Sequence, residues 1–311
     1  MDKIKHLYII GNGFDIFSGL KTKYINFAGW LQYRYPFIYD ELFAIYDVEA
    51  EWWKDFEQQL GFLDVDKFVK KYSYCNTNDK IISESEEEKN FEKKHKLPPS
   101  LVFDSKCANR LKGLLDELQY CFEKWVDYCM NSLIIPRYIK LETKSSYFIN
   151  FNYTDVIECL YQIPEDRVLH IHGRASKREH LVFGHNNHLY DVRGADYEKV
   201  CDVLNGYEKN PYDYICKNNY LSDLLKNVEN VHIYGFSFSP VDEDYIDWIY
   251  KKTSENCLWE ISWFSDNDKE RIEQLMRWKL KNRLKLIRLD ELEVKKYSIL
   301  GSADFATNPF I

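Results

Sequence analysis

The sequence predicts an α/β fold in which a Rossmann-like, mostly parallel central sheet is interrupted by a large helical insertion. Two observations lead to this prediction. Short apolar segments typical of strands recur near both ends of the chain, with helical patterns between them. Aromatic and leucine residues at helical spacing fill the region between these ends. Since short buried strands that alternate with helices are typical of parallel sheets, we predict an α/β core at 1–34 and 141–311 and a helical insertion at 35–140.

A glycine turn joins the first predicted strand to the first predicted helix. An apolar segment at 5–10 predicts a buried strand, and apolar residues at helical spacing predict a helix over 13–34. The turn between them reads Gly11-Asn12-Gly13-Phe14-Asp15. A Gly-x-Gly turn presents backbone N–H groups at a helix N-terminus, where the helix dipole favours an anion. We therefore predict a phosphate or pyrophosphate site, with a plain tight turn as the alternative because Ile16 replaces the third glycine of the dinucleotide fingerprint.

The predicted insertion contains two helical regions separated by a polar segment. Residues 36–72 carry aromatic side chains at helical spacing, which we interpret as core. Residues 76–100 are polar and charged and end at Pro98-Pro99, which predicts a mobile surface loop. A long helix follows, because one apolar stripe repeats at intervals of three and four residues: Leu111, Leu114, Leu115, Leu118, Phe122, Trp125, Val126 and Cys129.

Further strands are predicted after the insertion, from apolar segments at 147–151, 168–171, 181–183, 231–234, 259–264 and 284–289. A helical pattern at 268–281 separates the last two. This alternation is typical of a sheet with helices on both faces.

Residues suited to binding or catalysis follow four of the predicted strands. They are Gly11-Asn12-Gly13, Asn152-Tyr153-Thr154-Asp155, His172-Gly173 and Gly235-Phe236-Ser237. Because the carboxyl ends of parallel strands lie along one edge of a sheet, we expect these residues to converge there. Each has a structural alternative: Asn152 as a turn residue, and Asp155 and Ser237 as helix caps. Gly184-His185-Asn186 forms either part of the pocket or an ordinary loop.

The composition argues against several classes of function. The formal net charge is −8, from 42 basic and 50 acidic residues, which argues against a broad nucleic-acid-binding surface. None of the eight cysteines forms a Cys-x-x-Cys pair, so we expect no zinc ribbon or thioredoxin-type site. No secretory signal or membrane-spanning apolar stretch is visible. We therefore predict a reduced, cytoplasmic protein without a membrane or nucleic-acid partner.

A metal site is a minor alternative in the sequence. His170, His172, His185 and His188 have spacings that a metal ion tolerates. We nevertheless expect no metal.

The strand-end motifs resemble those of two protein families. Gly11 to Asp15 with Gly19-Leu20, Asn152-Tyr153, His172-Gly173 and Gly235-Phe236-Ser237 are similar to the nucleotide-binding and catalytic loops of sirtuin-like proteins. Nearly the whole chain resembles the bacterial abortive-infection AbiH family, through Gly11 to Asp15, Asn152-Tyr153-Thr154, His170-Ile171-His172-Gly173, Gly184-His185-Asn186, and Ser237 followed by Asp242 and Asp244. Two features depart from sirtuin deacetylases: the chain lacks their paired Cys-x-x-Cys zinc module, and Asp15 replaces the serine of their loop.

The resemblance implies an antiphage defence protein with a sirtuin-like core, which hydrolyses NAD to nicotinamide and ADP-ribose. It implies catalytic roles for Asn152 and His172, with His170 as a second candidate. It further implies that NAD is bound by Gly11, Asn12, Gly13, Phe14, Asp15, Tyr153, Asp155, Gly173, Gly184, His185, Gly235, Phe236 and Ser237. A homo-oligomer and a phage-derived trigger are the expected partners.

The expected chemistry needs no general acid, because nicotinamide leaves NAD as a neutral molecule. Asn152 is expected to orient a ribose hydroxyl or the attacking water, and His172 to bind ribose or act as a base. Two alternatives remain: a non-catalytic NAD or ADP-ribose sensor that acts through a partner, and an interaction protein whose helical insertion is the active surface.

Overall fold

The computed structural model of the chain describes residues 3–73, 105–133, 136–179, 181–191, 193–218, 220–292 and 294–296. The predicted loop at 76–100 lies outside these residues. The described fold is α/β, with a parallel six-stranded sheet flanked by helices, so the predicted fold class is confirmed.

The sheet has the strand order of a Rossmann fold. The strands, in chain order, are β1 His6–Ile10, β2 Arg137–Ile139, β3 Ser146–Asn150, β4 Val168–His170, β5 Asn230–Tyr234, β6 Leu258–Ser262, β7 Leu284–Ile287 and β8 Val294–Lys296. The main sheet runs β4-β3-β1-β5-β6-β7 and every neighbouring pair is parallel. Since β1 is the first strand of this sheet in the chain and β5 the fourth, the strand order reverses between them. That reversal is the topological switch point beside which ligands bind in such sheets.

Helices connect and cover the strands. The α-helices are Asn12–Ser18, Tyr24–Arg34, Pro36–Tyr46, Phe56–Gln59, Val65–Ser73, Lys106–Asn131, Val156–Tyr161, Ala195–Asn205, Pro211–Lys217, Leu221–Leu225, Glu243–Lys252 and Asp266–Leu280. Short 3-10 helices lie at Ala50–Lys54, Leu60–Phe62, Glu165–Arg167, Ala175–Lys177, Lys281–Arg283 and Leu289–Glu291. The long helix predicted from the apolar stripe is confirmed, and all eight of its stripe residues are buried.

Three details of the predicted secondary structure are wrong. The helix expected over 13–34 is broken after Ser18, because Gly19 takes a left-handed conformation (φ 110°) that ends the first helix. Residues 181–183 form no strand; Leu181 and Phe183 are buried, so their apolar character reflects core packing. The short strands β2 and β8 form a separate antiparallel pair that the sequence pattern did not indicate.

The chain divides into two compact units. The first consists of Met1–Phe27, Glu123–Val182 and Asn210–Ile311, and it contains the parallel sheet. One face of this sheet packs on the helices Leu221–Leu225, Glu243–Lys252 and Asp266–Leu280. Fully buried apolar side chains from the strands fill that interface: Leu7, Ile9, Val231, Ile233, Trp259 and Ile261.

The second unit consists of Ala28–Phe122 and Phe183–Lys209 and is mainly helical. Its core is aromatic. The Phe56 ring centroid lies 5.4 Å from that of Trp53 and 5.3 Å from that of Phe183, and Phe122 packs on Phe183 at 5.1 Å. The interpretation of the aromatic residues at 36–72 as core is confirmed for Trp52, Trp53, Phe56 and Phe68, which are buried, and is wrong for Phe43, which is exposed.

Among the described residues, no helix combines the length and the apolar character that crossing a membrane requires.

Candidate functional site

Four strand ends with the predicted motifs lie side by side in the sheet. β4, β3, β1 and β5 are consecutive neighbours and run parallel, so the residues that follow them emerge along one edge. The expected convergence of these strand ends is therefore observed. All four belong to the first unit.

The glycine turn after β1 packs directly against the turn after β5. The Gly13 N–H donates a hydrogen bond to the Gly235 carbonyl oxygen (2.7 Å). A Cβ on Gly13 would lie 2.8 Å from the Gly235 Cα, and a Cβ on Gly235 would overlap the amide nitrogen of Phe14. Gly235 also has a left-handed conformation (φ 64°). The glycines thus allow two backbones to touch at the switch point, and the Gly13 amide is engaged by a protein carbonyl rather than left for an anion.

The other side chains of this turn point to protein partners. The Asn12 side-chain amide donates to the Thr22 carbonyl oxygen (2.7 Å). Phe14 is fully buried, with its ring near those of Tyr161 and Tyr234. The structure therefore places Asn12 and Phe14 in supporting positions beneath the edge of the sheet.

Asp15 forms a buried polar cluster with Asn152 and Thr154. Asp15 is 1% exposed, and its two carboxylate oxygens accept hydrogen bonds from Asn152 Nδ2 (2.8 Å) and Thr154 Oγ1 (2.6 Å). Asn152 Nδ2 also donates to the Gly11 carbonyl oxygen (3.1 Å). Burial raises the pKa of Asp15 to about 7, although both hydrogen bonds oppose the rise. The two predicted residues, Asp15 and Asn152, are therefore brought together with the end of β1.

The loop after β3 is held by Asn150, which the sequence analysis did not single out. Its side-chain oxygen accepts from the Asn152 N–H (2.9 Å), and its amide nitrogen donates to the Thr154 carbonyl oxygen (3.3 Å). Asn150 is completely buried at the end of β3, directly after the apolar residues Phe148 and Ile149. An amide in that position was the available signal, because a buried amide needs nearby polar partners.

His172 and Asp242 form a buried pair after β4 and β5. His172 Nε2 lies 3.2 Å from Asp242 Oδ1, and both residues are buried. Asp242 directly precedes the helix that follows β5. It occupies the N-cap position of Glu243–Lys252, but its side chain makes no capping hydrogen bond and reaches His172 instead. The ring of His172 also packs near those of Phe151 and Tyr153, each at 5.6 Å.

His170, Glu158 and Asp155 form a second cluster on the same edge. His170 Nε2 lies 2.7 Å from Glu158 Oε1, and His170 Nδ1 lies 3.3 Å from the Asn152 carbonyl oxygen. Asp155 accepts a hydrogen bond from the Ser176 hydroxyl. It occupies the N-cap position of Val156–Tyr161 without a side-chain capping bond. These three residues have the donor types and the proximity that a metal ion requires, and Glu158 was missed because the sequence pattern marks it only as a helical residue.

A cavity of about 300 Å³ opens beside this cluster in the first unit. It is lined by Val126, Asp127, Met130, Asn131, Tyr153, Thr154, Asp155, Ala175 and Ser176. The predicted residues Tyr153 and Asp155 thus lie at a cavity, and Tyr153 also contacts His172. The other predicted residues of this unit do not line the cavity. Among them, Gly173 takes a left-handed turn (φ 79°), Phe236 is buried against Phe151, and Ser237 is exposed.

Gly184 and His185 belong to the second unit, where they have structural contacts. A Cβ on Gly184 would overlap the Tyr207 carbonyl oxygen. His185 is fully buried; Nε2 lies 3.2 Å from the Leu204 carbonyl oxygen, and Nδ1 accepts from the Asn187 N–H (3.1 Å). Burial lowers the pKa of His185. Backbone groups therefore engage both ring nitrogens within this unit.

Comparison with known proteins identifies one family. The family model described as "Bacteriophage abortive infection AbiH" matches residues 7–263. This range includes β1 from its second residue onward, β2 to β6, and every residue of the clusters described above. A search of curated proteins found no match.

Proposed function

Because the chain belongs to the bacteriophage abortive infection AbiH family, we propose that it serves this defence against phage by hydrolysing NAD to nicotinamide and ADP-ribose. Family membership implies the role in abortive infection; the reaction is our inference. The observation that carries it is the buried His172–Asp242 pair, which lies at the carboxyl edge of a sheet with Rossmann strand order. The resemblance of the strand-end motifs to sirtuin-like loops supports NAD as the substrate.

The proposed reaction needs one base and a positioned water. The bond between C1′ of the ribose and the nicotinamide nitrogen breaks, and its electron pair neutralises the pyridinium ring. A water oxygen bonds to C1′ and His172 accepts the proton that the water loses. Asp242, whose Oδ1 lies 3.2 Å from Nε2, stabilises by its negative charge the imidazolium that forms. No general acid is required, which suits a site whose second carboxylate, Asp15, is buried and hydrogen-bonded.

The cavity supports a substrate of limited size. Its empty space of about 300 Å³ includes volume open to solvent, so it can enclose only part of NAD. We infer that it takes the nicotinamide-ribose half of NAD. Tyr153 contacts both the cavity and His172, so it would lie beside the reacting ribose. Asp155 and Ser176 offer oxygen atoms for hydrogen bonds to ribose hydroxyls.

We assign Asn152 a positioning role rather than contact with the reacting atoms. Its amide nitrogen donates to both Gly11 and Asp15, so it ties the end of β1 to the loop after β3. Loss of this amide would displace the loop that carries Tyr153 and Asp155.

The test measures nicotinamide release from NAD by the purified full-length chain, and NAD levels in phage-infected cells. We expect His172→Gln to lower release at least about 100-fold and Asp242→Asn to lower it by a smaller factor. The control is His188→Ala, because His188 also pairs with a carboxylate, Glu208, but lies exposed in the second unit. If neither assay detects loss of NAD while His172→Gln abolishes phage protection, NAD hydrolysis is refuted.

One observation favours a second candidate, a sensor that binds NAD or ADP-ribose without turnover. Both donors of the Asn152 amide are engaged by the protein, as is the Gly13 N–H, so these groups are not available to activate a water. A rise in unfolding temperature with NAD or ADP-ribose, without nicotinamide release, would identify the sensor.

A further inference from the structure

We propose that Asp155, Glu158 and His170 form a binding site for a divalent transition-metal ion. The site lies at the carboxyl ends of β3 and β4 and is distinct from the His172–Asp242 pair. No metal was expected from the sequence, and the histidine pattern considered there shares only His170 with this site. The proposal holds whether or not the chain hydrolyses NAD, because it concerns ion binding alone.

Three side chains that can donate a ligand atom to a metal ion lie close together here. One ligand atom from each of the three residues lies within 4.8 Å of the others. A metal ion about 2.0–2.2 Å from nitrogen and oxygen ligands places those atoms about 3–4.4 Å apart. The side chains therefore need to move together by only a few tenths of an ångström. Asp155 and Glu158 lie at the first turn of one short helix, and His170 ends the adjacent β4, so the fold already presents them to one point.

Two buried carboxylate oxygens of this cluster have no hydrogen-bond partner among the residues that the structure describes. Asp155 is 8% exposed, and its Oδ1 has no hydrogen-bond partner in the described part of the chain. The same holds for Glu158 Oε2. Burying a charged oxygen without a partner is costly, so such atoms call for a cation or a bound donor.

Arg174 does not fill the place of the cation. Its guanidinium lies 4.0 Å from Glu158 Oε1, at the limit of an ion pair. Two of its nitrogens donate to Glu179 (2.8 and 3.1 Å), and Glu165 lies at 3.5 Å. The charge of Arg174 is therefore balanced largely by these two residues.

The orientation of His170 suits a ligand. Its Nδ1 faces the Asn152 carbonyl oxygen, which accepts a hydrogen bond and leaves Nε2 facing Glu158. Metal-binding histidines typically donate their other ring nitrogen to a carbonyl or carboxylate in this way. Nε2 lies 2.7 Å from Glu158 Oε1, and a bound metal ion would take the place of the hydrogen bond between them.

The donor set indicates the class of metal. Mg²⁺ prefers sites with oxygen ligands alone, and structural zinc sites are rich in nitrogen and sulfur ligands. A set of one imidazole and two carboxylates is intermediate in ligand type, so Mn²⁺ and Zn²⁺ fit best. Three protein ligands leave coordination positions for water or an oxygen ligand. Asp155 also lines the cavity, so a molecule bound there can complete the coordination.

The experiment titrates chelator-treated full-length chain with Mn²⁺, detecting free ion by electron paramagnetic resonance, and with Zn²⁺ by calorimetry. We expect one ion per chain and at least a tenfold weaker affinity in Glu158→Gln. The matched control is Glu208→Gln, which removes the carboxylate of the exposed His188–Glu208 pair and should bind like the wild type.

Unfolding temperatures measured with and without metal separate loss of the site from loss of the fold. In chelator, Glu158→Gln should unfold no earlier than the wild type, since it removes a buried charge, but metal should no longer raise its unfolding temperature. The proposal is overturned if the wild type binds neither ion at millimolar concentration, or if Glu158→Gln binds as tightly as Glu208→Gln. No NAD is present, so the outcome is independent of the proposed hydrolysis.

Discussion

Replacing the buried Asp15 by asparagine should remove a large pH dependence of stability. Asp15 is fully enclosed, and burial raises its pKa from 3.8 to about 7. A carboxyl group with a raised pKa in the folded state favours folding while it is protonated. The stability is therefore fully present below the unfolded pKa and is lost as the pH rises toward and through the folded pKa. Between these two values each pH unit costs about 1.4 kcal/mol, and the cost levels off at the folded pKa, so the step from pH 5 to pH 7 costs about 2 kcal/mol.

Asparagine at this position keeps the contacts but removes the titration. Its oxygen can accept from Asn152 Nδ2, and its amide can donate to Thr154 Oγ1, since a hydroxyl both donates and accepts. Between pH 5 and pH 7 we expect the unfolding free energy of Asp15→Asn to fall by about 2 kcal/mol less than that of the wild type.

Urea unfolding at a series of pH values measures this difference. The variant Asp244→Asn is the control, because Asp244 is exposed and its removal should leave the wild-type slope unchanged. The reasoning is refuted if Asp15→Asn shows the same loss of unfolding free energy with pH as the wild type. A parallel slope would mean that Asp15 stays ionised across this range.

Two further perturbations test the packing and the buried histidine. Gly235→Ala should destabilise the chain by at least about 1–2 kcal/mol, because the φ of Gly235 is positive and the added Cβ would overlap the Phe14 amide. The control is Gly29→Ala, in a helix with open space around this residue, which should stabilise the chain slightly. Equal unfolding temperatures of the two variants would contradict both expectations. Burial lowers the pKa of His185, so the stability gained from its neutral ring is present above pH 6.5 and is lost as the pH falls below 6.5. The unfolding free energy of His185→Asn should therefore fall less toward pH 5 than that of the control His188→Ala, as measured by urea titration.

The sheet was predictable because its information is local. Short apolar segments bounded by glycine and polar residues predicted all six strands of the parallel sheet. The false strand at 181–183 shows the limit of this signal. Buried residues in a loop are as apolar as a strand, and the sequence does not say whether a neighbouring strand is present to pair with.

The site was predictable at the level of strand ends but not of side-chain pairs. Parallel topology alone brings His172 and Asn152 to one edge, whatever their contacts. The pairing of His172 with Asp242 depends on where the helix Glu243–Lys252 begins in space, and an aspartate at that position fits a cap equally well. The partnership of Glu158 with His170 likewise depends on how one short helix turn packs beside β4.

The meeting of Gly13 and Gly235 has a consequence for the direction from which a ligand can approach. In most doubly wound sheets the two loops at the reversal of strand order diverge and leave a crevice. Here they touch, so the protein's own backbone seals that entrance. The cavity lined by Tyr153 and Asp155 lies instead beside the loop after β3, which is the side on which searches for inhibitors or soaked ligands should concentrate.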